Sequence, residues 1–182
     1  MGLRRGFKTE ANGWARDLRL ELGIPPAGPM CPRKLCDHLG LPLLDLSKLE
    51  ADPAHIAFYT KGPGRKEFSA VTLQTQGKRW IVHNDAHDSG RQASNIAHEI
   101  AHALLGHPVT ALFGADGQRS HNPDHEEEAN WLGPALLISE EAALFIVQQS
   151  MSVPDAAEFY GTSREVVQMR INVSGARKRA AA

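Results

Sequence analysis

The feature that most constrains this 182-residue chain is the stretch SNIAHEIAHALLGH at residues 94–107. It contains His98, Glu99 and His102 in the order His-Glu-x-x-His, among apolar residues that recur at helical spacing. Residues four apart on a helix project from one face, so both imidazoles can reach a single ion. The stretch therefore predicts a helix that carries a two-histidine metal site.

The chemistry of such a site depends on the ligands and on the neighbouring carboxylate. Two imidazoles and a further carboxylate suit zinc and leave a fourth position for water. Zinc lowers the pKa of a bound water from about 15.7 to about 7. Glu99 is predicted to be the general base that takes a proton from this water and returns one to the leaving amine. The alternative is a polar patch on an ordinary amphipathic helix, because a five-residue pattern also arises by chance.

The rest of the chain predicts an α+β fold around this helix. Alternating and branched residues predict strands at 41–46, 68–75 and 78–84, the last two joined by a turn at Gln76-Gly77. Helical spacing and stop signals predict helices at 8–23, 31–40, 125–137 and 139–175, the last broken at Pro154 and Gly161. We expect a small twisted antiparallel sheet packed beside the motif helix, followed by a helical C-terminal segment.

Two stretches, ASNIAHEIAHALLGHP and HEEEANWLGPALLIS, resemble the ImmA/IrrE family of metallo-endopeptidases. Members of this family pair an HExxH helix with a downstream helix of the form Glu-x-x-Ala-Asn, which begins here at Glu126. The resemblance implies a zincin-like fold and a Zn²⁺ cofactor, with His98, His102 and Glu126 as ligands and Glu99 as general base. It also implies that the protein substrate is a helix-turn-helix transcriptional repressor, cleaved at a specific site.

Three consecutive glutamates, 126–128, compete for the third ligand position. Successive helix positions point about 100° apart, so at most one of them faces the metal well. Glu126 shares a face with Asn130 and is the predicted ligand, with Asn130 expected to hold a ligand imidazole by a hydrogen bond. Glu128 is the second choice and Glu127 the third. The alternative is a solvated acidic first turn that the helix dipole favours without any metal.

The predicted organisation is a metallopeptidase domain at 1–146, a helix-turn-helix-like segment at 147–175 and a flexible tail at 176–182. The middle segment supports a different function, that of a DNA-binding or partner-binding regulator with a structural zinc site. Arg164 and Gln168 would then contact bases. A formal net charge of −1 argues against strong phosphate binding, so we expect a helical cap without direct DNA binding.

No apolar run approaches the length of a membrane span, and none follows the two arginines near the N-terminus as a secretory leader would. Cys31 and Cys36 are spaced as neither a redox pair nor a zinc knuckle. We therefore expect a cytoplasmic protein without a membrane partner.

Several other side chains are weaker site candidates, and each has an ordinary structural explanation. They are His83 and His87 before the motif helix, His107 at its end, His121 and His125 in the acidic region, and Tyr59 and Tyr160. The first two either line the cleft or bond loop backbone, and the helix dipole alone favours a histidine at position 107. We expect the acidic-region histidines to be solvated and the tyrosines to serve in packing rather than in oxyanion stabilisation.

Overall fold

The computed structural model describes residues 2–109 and 122–181. Within these ranges the helices are α1 (Phe7–Glu21), α2 (Pro32–Leu39), α3 (Pro53–Thr60), α4 (Ser89–Leu104), α5 (Pro123–Leu137), α6 (Glu140–Gln148), α7 (Val153–Tyr160), α8 (Arg164–Val173) and α9 (Ala176–Ala180). The strands are β1 (Leu43–Asp45), β2 (Ala70–Thr75) and β3 (Lys78–His83), with 3₁₀ turns at Leu46–Lys48 and Pro63–Lys66. The fold is α+β, as predicted, and is consistent with a zincin-like architecture.

The three strands form a mixed sheet with the order β1-β3-β2. β2 and β3 are an antiparallel hairpin whose turn residues, Gln76 and Gly77, have φ values of 50° and 76°, as a two-residue primed turn requires. β1 instead pairs with β3 in parallel, so the expectation of a wholly antiparallel sheet is wrong. The reason is the long connection from β1 to β2, which runs through α3. It places β2 on the far side of β3 from β1, so β2 lies at the sheet edge.

Helix α4 is the motif helix, and its start and its packing are fixed locally. The Asp88 carboxylate accepts a hydrogen bond from the Arg91 backbone N–H and caps the N-terminus. Its core-facing residues are buried: Ala93, Ile96, Ala97, Ile100 and Ala101. Helix α5 crosses it closely because residue 133 is glycine; a Cβ there would stand 3.1 Å from the His98 Cα. This close approach brings the first turns of α5 opposite the histidines of α4.

The C-terminal helices pack on α4 and α5 through a buried apolar cluster that includes Leu137, Ile138 and Ala97. The turn between α7 and α8 lies against the start of α4, where a Cβ at Gly90 would stand 2.7 Å from the Thr162 carbonyl oxygen. In the segment predicted to be a flexible tail, α9 is helical and its first residue, Ala176, is buried, while its flexibility stays a prediction. The predicted boundary at residue 146 falls inside α6, and the division into domains stays a prediction.

Two buried arginines donate hydrogen bonds to the backbone carbonyls at the C-terminal end of α5. Arg19 donates hydrogen bonds to the carbonyls of Leu136 and Leu137 at 2.9 and 3.1 Å, and Arg170 donates to that of Ile138 at 2.8 Å. These carbonyls have no partner within the helix, so the guanidinium groups satisfy them. Arg170 is fully buried, so its guanidinium is not available to contact a DNA phosphate directly.

No single helix in the described parts of the chain has the length and apolar character needed to cross a membrane. Within residues 2–109 and 122–181, the helices α5 and α6 meet that test when taken together, and they are bent by 53° at the break between them.

Candidate metal centre

Helices α4 and α5 bring the three predicted ligands together. The Nε2 atoms of His98 and His102 lie 3.1 Å apart. Glu126 reaches across from α5, with one carboxylate oxygen 3.4 Å from the His98 Nε2 and the other 3.5 Å from the His102 Nε2. Among the described histidine, cysteine and acidic residues, these three form a group whose possible ligand atoms all lie within 4.8 Å of one another.

The donor set and its spacing fit zinc. Tetrahedral ligands bound at about 2.0–2.1 Å stand about 3.3 Å from one another, close to the observed separations. Burial, together with the neighbouring His98, lowers the pKa of His102 to about 4. This imidazole is therefore neutral near pH 7, which is the form that binds a metal.

The cluster borders a cleft with a volume of about 490 Å³. The lining includes the start of the edge strand β2 and the segment before it, residues 69–72, together with Asn130 and Pro134 of α5. Val166 of α8 also contributes, so the C-terminal segment helps to form the cleft. The side chains of His98 and Glu126 are 26% and 35% exposed, which leaves this cluster accessible from the cleft.

Glu99 is oriented by a residue that the sequence analysis missed. The Thr72 hydroxyl, on β2, donates a 2.6 Å hydrogen bond to the Glu99 Oε2. Thr72 is buried and lines the cleft beside the histidines. A polar residue at an inward strand position is the sequence signal, but its partner becomes evident only once β2 packs on α4.

The consecutive glutamates have different neighbours. Glu126 lies beside the histidines, whereas Glu128 Oε2 lies 3.1 Å from the Nε2 of His107. The expected hydrogen bond from the N–H of a ligand imidazole to Asn130 is not observed among the described residues, where Asn130 is exposed. The His102 Nδ1 instead lies 2.9 Å from the Nδ1 of His107. His107 thus has a structural connection to the site that the helix dipole alone does not explain.

The remaining histidine candidates lie in three different settings. His83 and His87 are buried outside the cleft lining, the first 2.8 Å from the Asp45 carboxylate and the second bonded to the Arg65 carbonyl. His125 is in the first turns of α5, where its ring stacks on His107 at 4.2 Å between centroids, so it is packed rather than solvated as expected. His121 lies outside the described residues.

The two tyrosines do not line the cleft. Tyr160 is buried and its hydroxyl donates a hydrogen bond to the Ala27 carbonyl at 2.9 Å. Tyr59 is partly exposed on α3, with its ring in an edge-to-face contact with that of Phe68. Both positions agree with the packing roles expected from the sequence.

Comparison with known families gives one match. A model of the Peptidase_M78 family, described as the IrrE N-terminal-like domain, matches residues 58–172, which is more than half of the chain. The matched region runs from α3 into α8 and contains the whole His98, Glu99, His102 and Glu126 cluster. None of the curated proteins compared with the chain matches it.

Proposed function

Because the chain belongs to the Peptidase_M78 family of metallopeptidases, we propose that it is a zinc-dependent endopeptidase with His98, His102 and Glu126 as metal ligands. The observation that carries this proposal is the convergence of two imidazoles and a carboxylate, from two helices, at the border of an open cleft. A structural zinc site has four protein ligands, whereas a catalytic one has three and an open position. The three-ligand cluster beside Glu99 supports the catalytic type.

The roles of the side chains follow from this arrangement. When bound, zinc supplies the Lewis acidity that makes water nucleophilic near neutral pH. Glu99 accepts a proton from the attacking water and later delivers it to the leaving amine. The hydrogen bond from Thr72 fixes one of the two Glu99 oxygens, so the carboxylate need not reorient during this transfer.

The cleft suits an extended peptide. Its wall includes residues 70–72 of β2, the edge strand, which pairs with β3 on one side within the described residues. Such an edge can accept a further strand through main-chain hydrogen bonds. A peptide bound in this way runs past Glu99, because Thr72 of the same strand contacts that carboxylate.

The proposed substrate is a helix-turn-helix transcriptional repressor, cut at a specific site. This proposal rests on the resemblance to the ImmA/IrrE family, whose members cleave such regulators. A binding function without cleavage is the competing hypothesis, and it predicts zinc retention without proteolysis.

The test is incubation of the zinc-loaded protein with helix-turn-helix repressors encoded near its gene, followed by mass spectrometry of the fragments. The wild type should give a defined cut, and Glu99→Gln should keep zinc and fold while losing about 10²–10⁴-fold in rate. Glu127→Gln is the matched control, since it makes the same charge change on α5 and should cleave normally. Absence of cleavage across the whole panel favours the binding function, and full activity of Glu99→Gln contradicts the mechanism.

A further inference from the structure

The end of α4 brings a third imidazole, that of His107, against the Nδ1 side of the His102 ring. Gly106 has a φ of 65°, and the chain closes there with two hydrogen bonds, from the His107 N–H to the His102 carbonyl at 3.0 Å and from the Gly106 N–H to the Ala103 carbonyl at 3.2 Å. This is the Schellman ending, in which the side chain after the glycine contacts the side chain five residues earlier. Here both of those side chains are histidines, with their Nδ1 atoms 2.9 Å apart.

The surroundings of His107 hold its ring in place. Its residue exposure is 5%, and its Nε2 lies 3.1 Å from the Glu128 Oε2. The other Glu128 oxygen accepts a 2.7 Å hydrogen bond from the Nε of Arg4. Arg79 donates to the backbone carbonyls of both His102 and His107, at 3.2 and 2.8 Å. The His107 ring is thus held by the hydrogen bonds from Arg79 to its backbone and by the Glu128 carboxylate, which is itself paired with Arg4.

These contacts allow one arrangement of protons once His102 is a ligand. Its Nε2 is the atom that faces Glu126 and His98, and a ligand nitrogen carries no proton. The proton of His102 is then on Nδ1, so this nitrogen donates to the Nδ1 of His107. His107 must therefore carry its own proton on Nε2, which donates to Glu128.

We propose that His107 is a positioning residue for the ligand His102, and that Glu128, held by Arg4, fixes the tautomer of both rings. The inference rests on the proposed function, because it assumes that His102 binds the metal. It gives Glu128 a role distinct from that of Glu126, although the two are only two residues apart. Outer partners of this kind orient a ligand imidazole and strengthen its bond to the metal.

Zinc affinity, measured by competition with a chromophoric chelator, tests the inference with three variants at one position. In His107→Asn an amide oxygen replaces Nδ1 as acceptor, whereas His107→Gln keeps only a donor near the Nε2 position and His107→Leu keeps neither. We expect the Leu and Gln variants to bind zinc about 10–100-fold more weakly and the Asn variant to retain most of the affinity. Equal affinity in all four proteins, or a Gln variant tighter than the Asn variant, overturns the inference.

A matched pair on α5 tests the carboxylate. Glu128→Gln should weaken zinc binding several-fold, because a neutral amide accepts the His107 proton less strongly, while Glu127→Gln should leave the affinity unchanged. Equal effects of the two substitutions contradict the proposed role of Glu128.

The tautomer itself is a readout that a packing role would not change. In ¹⁵N-detected histidine spectra of the zinc-loaded protein, His107 should be protonated at Nε2 only and His102 at Nδ1 only. A His107 that carries its proton on Nδ1 overturns the inference and leaves the proposed function intact. A wild-type chain that binds no zinc contradicts the proposed function itself, so the two failures are distinguishable.

Discussion

Two of the histidine and carboxylate clusters in the described part of the chain differ in what their polar atoms face. In the first, His98, His102 and Glu126 converge at the border of the cleft. In the second, the fully buried His83 contacts the Asp45 carboxylate at 2.8 Å and the Arg33 guanidinium at 3.0 Å. Residue type alone does not distinguish a metal site from a structural pair. The direction in which the ligand atoms converge, and their access to solvent, do.

The electrostatics of the second cluster support this distinction. Lys48, and then His83 and Arg33, hold the pKa of Asp45 well below its usual range, although partial burial opposes the shift. Burial also lowers the pKa of His83. Lys48 and Arg33 are the cations of this cluster. The contacts among Arg33, Asp45 and His83 also connect α2, β1 and β3 at the buried end of the parallel pair.

The largest expected effect appears when a histidine is replaced by alanine in each of the two clusters. The wild type should carry about one zinc ion per chain. His98→Ala and His102→Ala should each lose most of this zinc. His83→Ala should keep its zinc and instead lose about 1–3 kcal/mol of unfolding free energy, because buried polar partners are left unsatisfied. Elemental analysis and denaturant unfolding measure the two outcomes. Full zinc retention in both cleft variants contradicts the proposed centre.

A smaller effect separates Glu126 from its neighbours. Glu126→Gln should weaken zinc binding by about tenfold or more under chelator competition. Glu127→Gln serves as the reference, and Glu128→Gln should fall between the two, because it acts through His107 rather than on the metal. A larger loss in Glu128→Gln than in Glu126→Gln would move the third ligand to Glu128.

Thr72→Val tests the orientation of Glu99 without touching a predicted ligand. Loss of one hydrogen bond to a carboxylate, worth about 1.5 kcal/mol or more, should lower kcat by about tenfold or more. Zinc affinity should not change, and Thr75→Val, at the exposed end of the same strand, should behave as wild type. Cleavage kinetics that are identical for Thr72→Val and the wild type would remove this residue from the mechanism.

The smallest effect is a pH dependence of stability in the second cluster. The folded pKa of Asp45 is depressed, so its contribution is present above the unfolded value of about 3.9 and is lost as the pH falls toward the folded value. The difference in unfolding free energy between wild type and Asp45→Asn should therefore be larger at pH 7 than at pH 3. Urea unfolding at both values measures it, with Asp37→Asn as an exposed control. A difference that is constant with pH contradicts the role of this carboxylate.

Local features of the sequence predicted much of this molecule. Helical spacing placed two histidines on one face, a glycine turn predicted the hairpin at Gln76-Gly77, and the α+β class and the family resemblance are confirmed. Contacts between distant segments could not be predicted, including the parallel pairing of β1 and the bond from Thr72 to Glu99. They depend on how strands and helices pack, which no short spacing encodes.

His107 is an intermediate case, because its contact is local but involves side-chain chemistry. The glycine before it signals a Schellman ending, and that ending alone predicts that residue 107 returns to His102. The helix dipole also favours a histidine at this position, but by itself it does not indicate a contact with His102. The position of Glu128, on another helix, requires the close crossing at Gly133 and could not be found in this way.

The most direct test of the central claim is anomalous diffraction at the zinc absorption edge from crystals of the protein grown with zinc. We expect one strong peak in the described part of the chain, in contact with the Nε2 atoms of His98 and His102 and with the carboxylate of Glu126. Bond lengths should be about 2.0–2.2 Å. A peak on His83 and Asp45, or density at the cleft that touches none of the three ligands, would contradict the account.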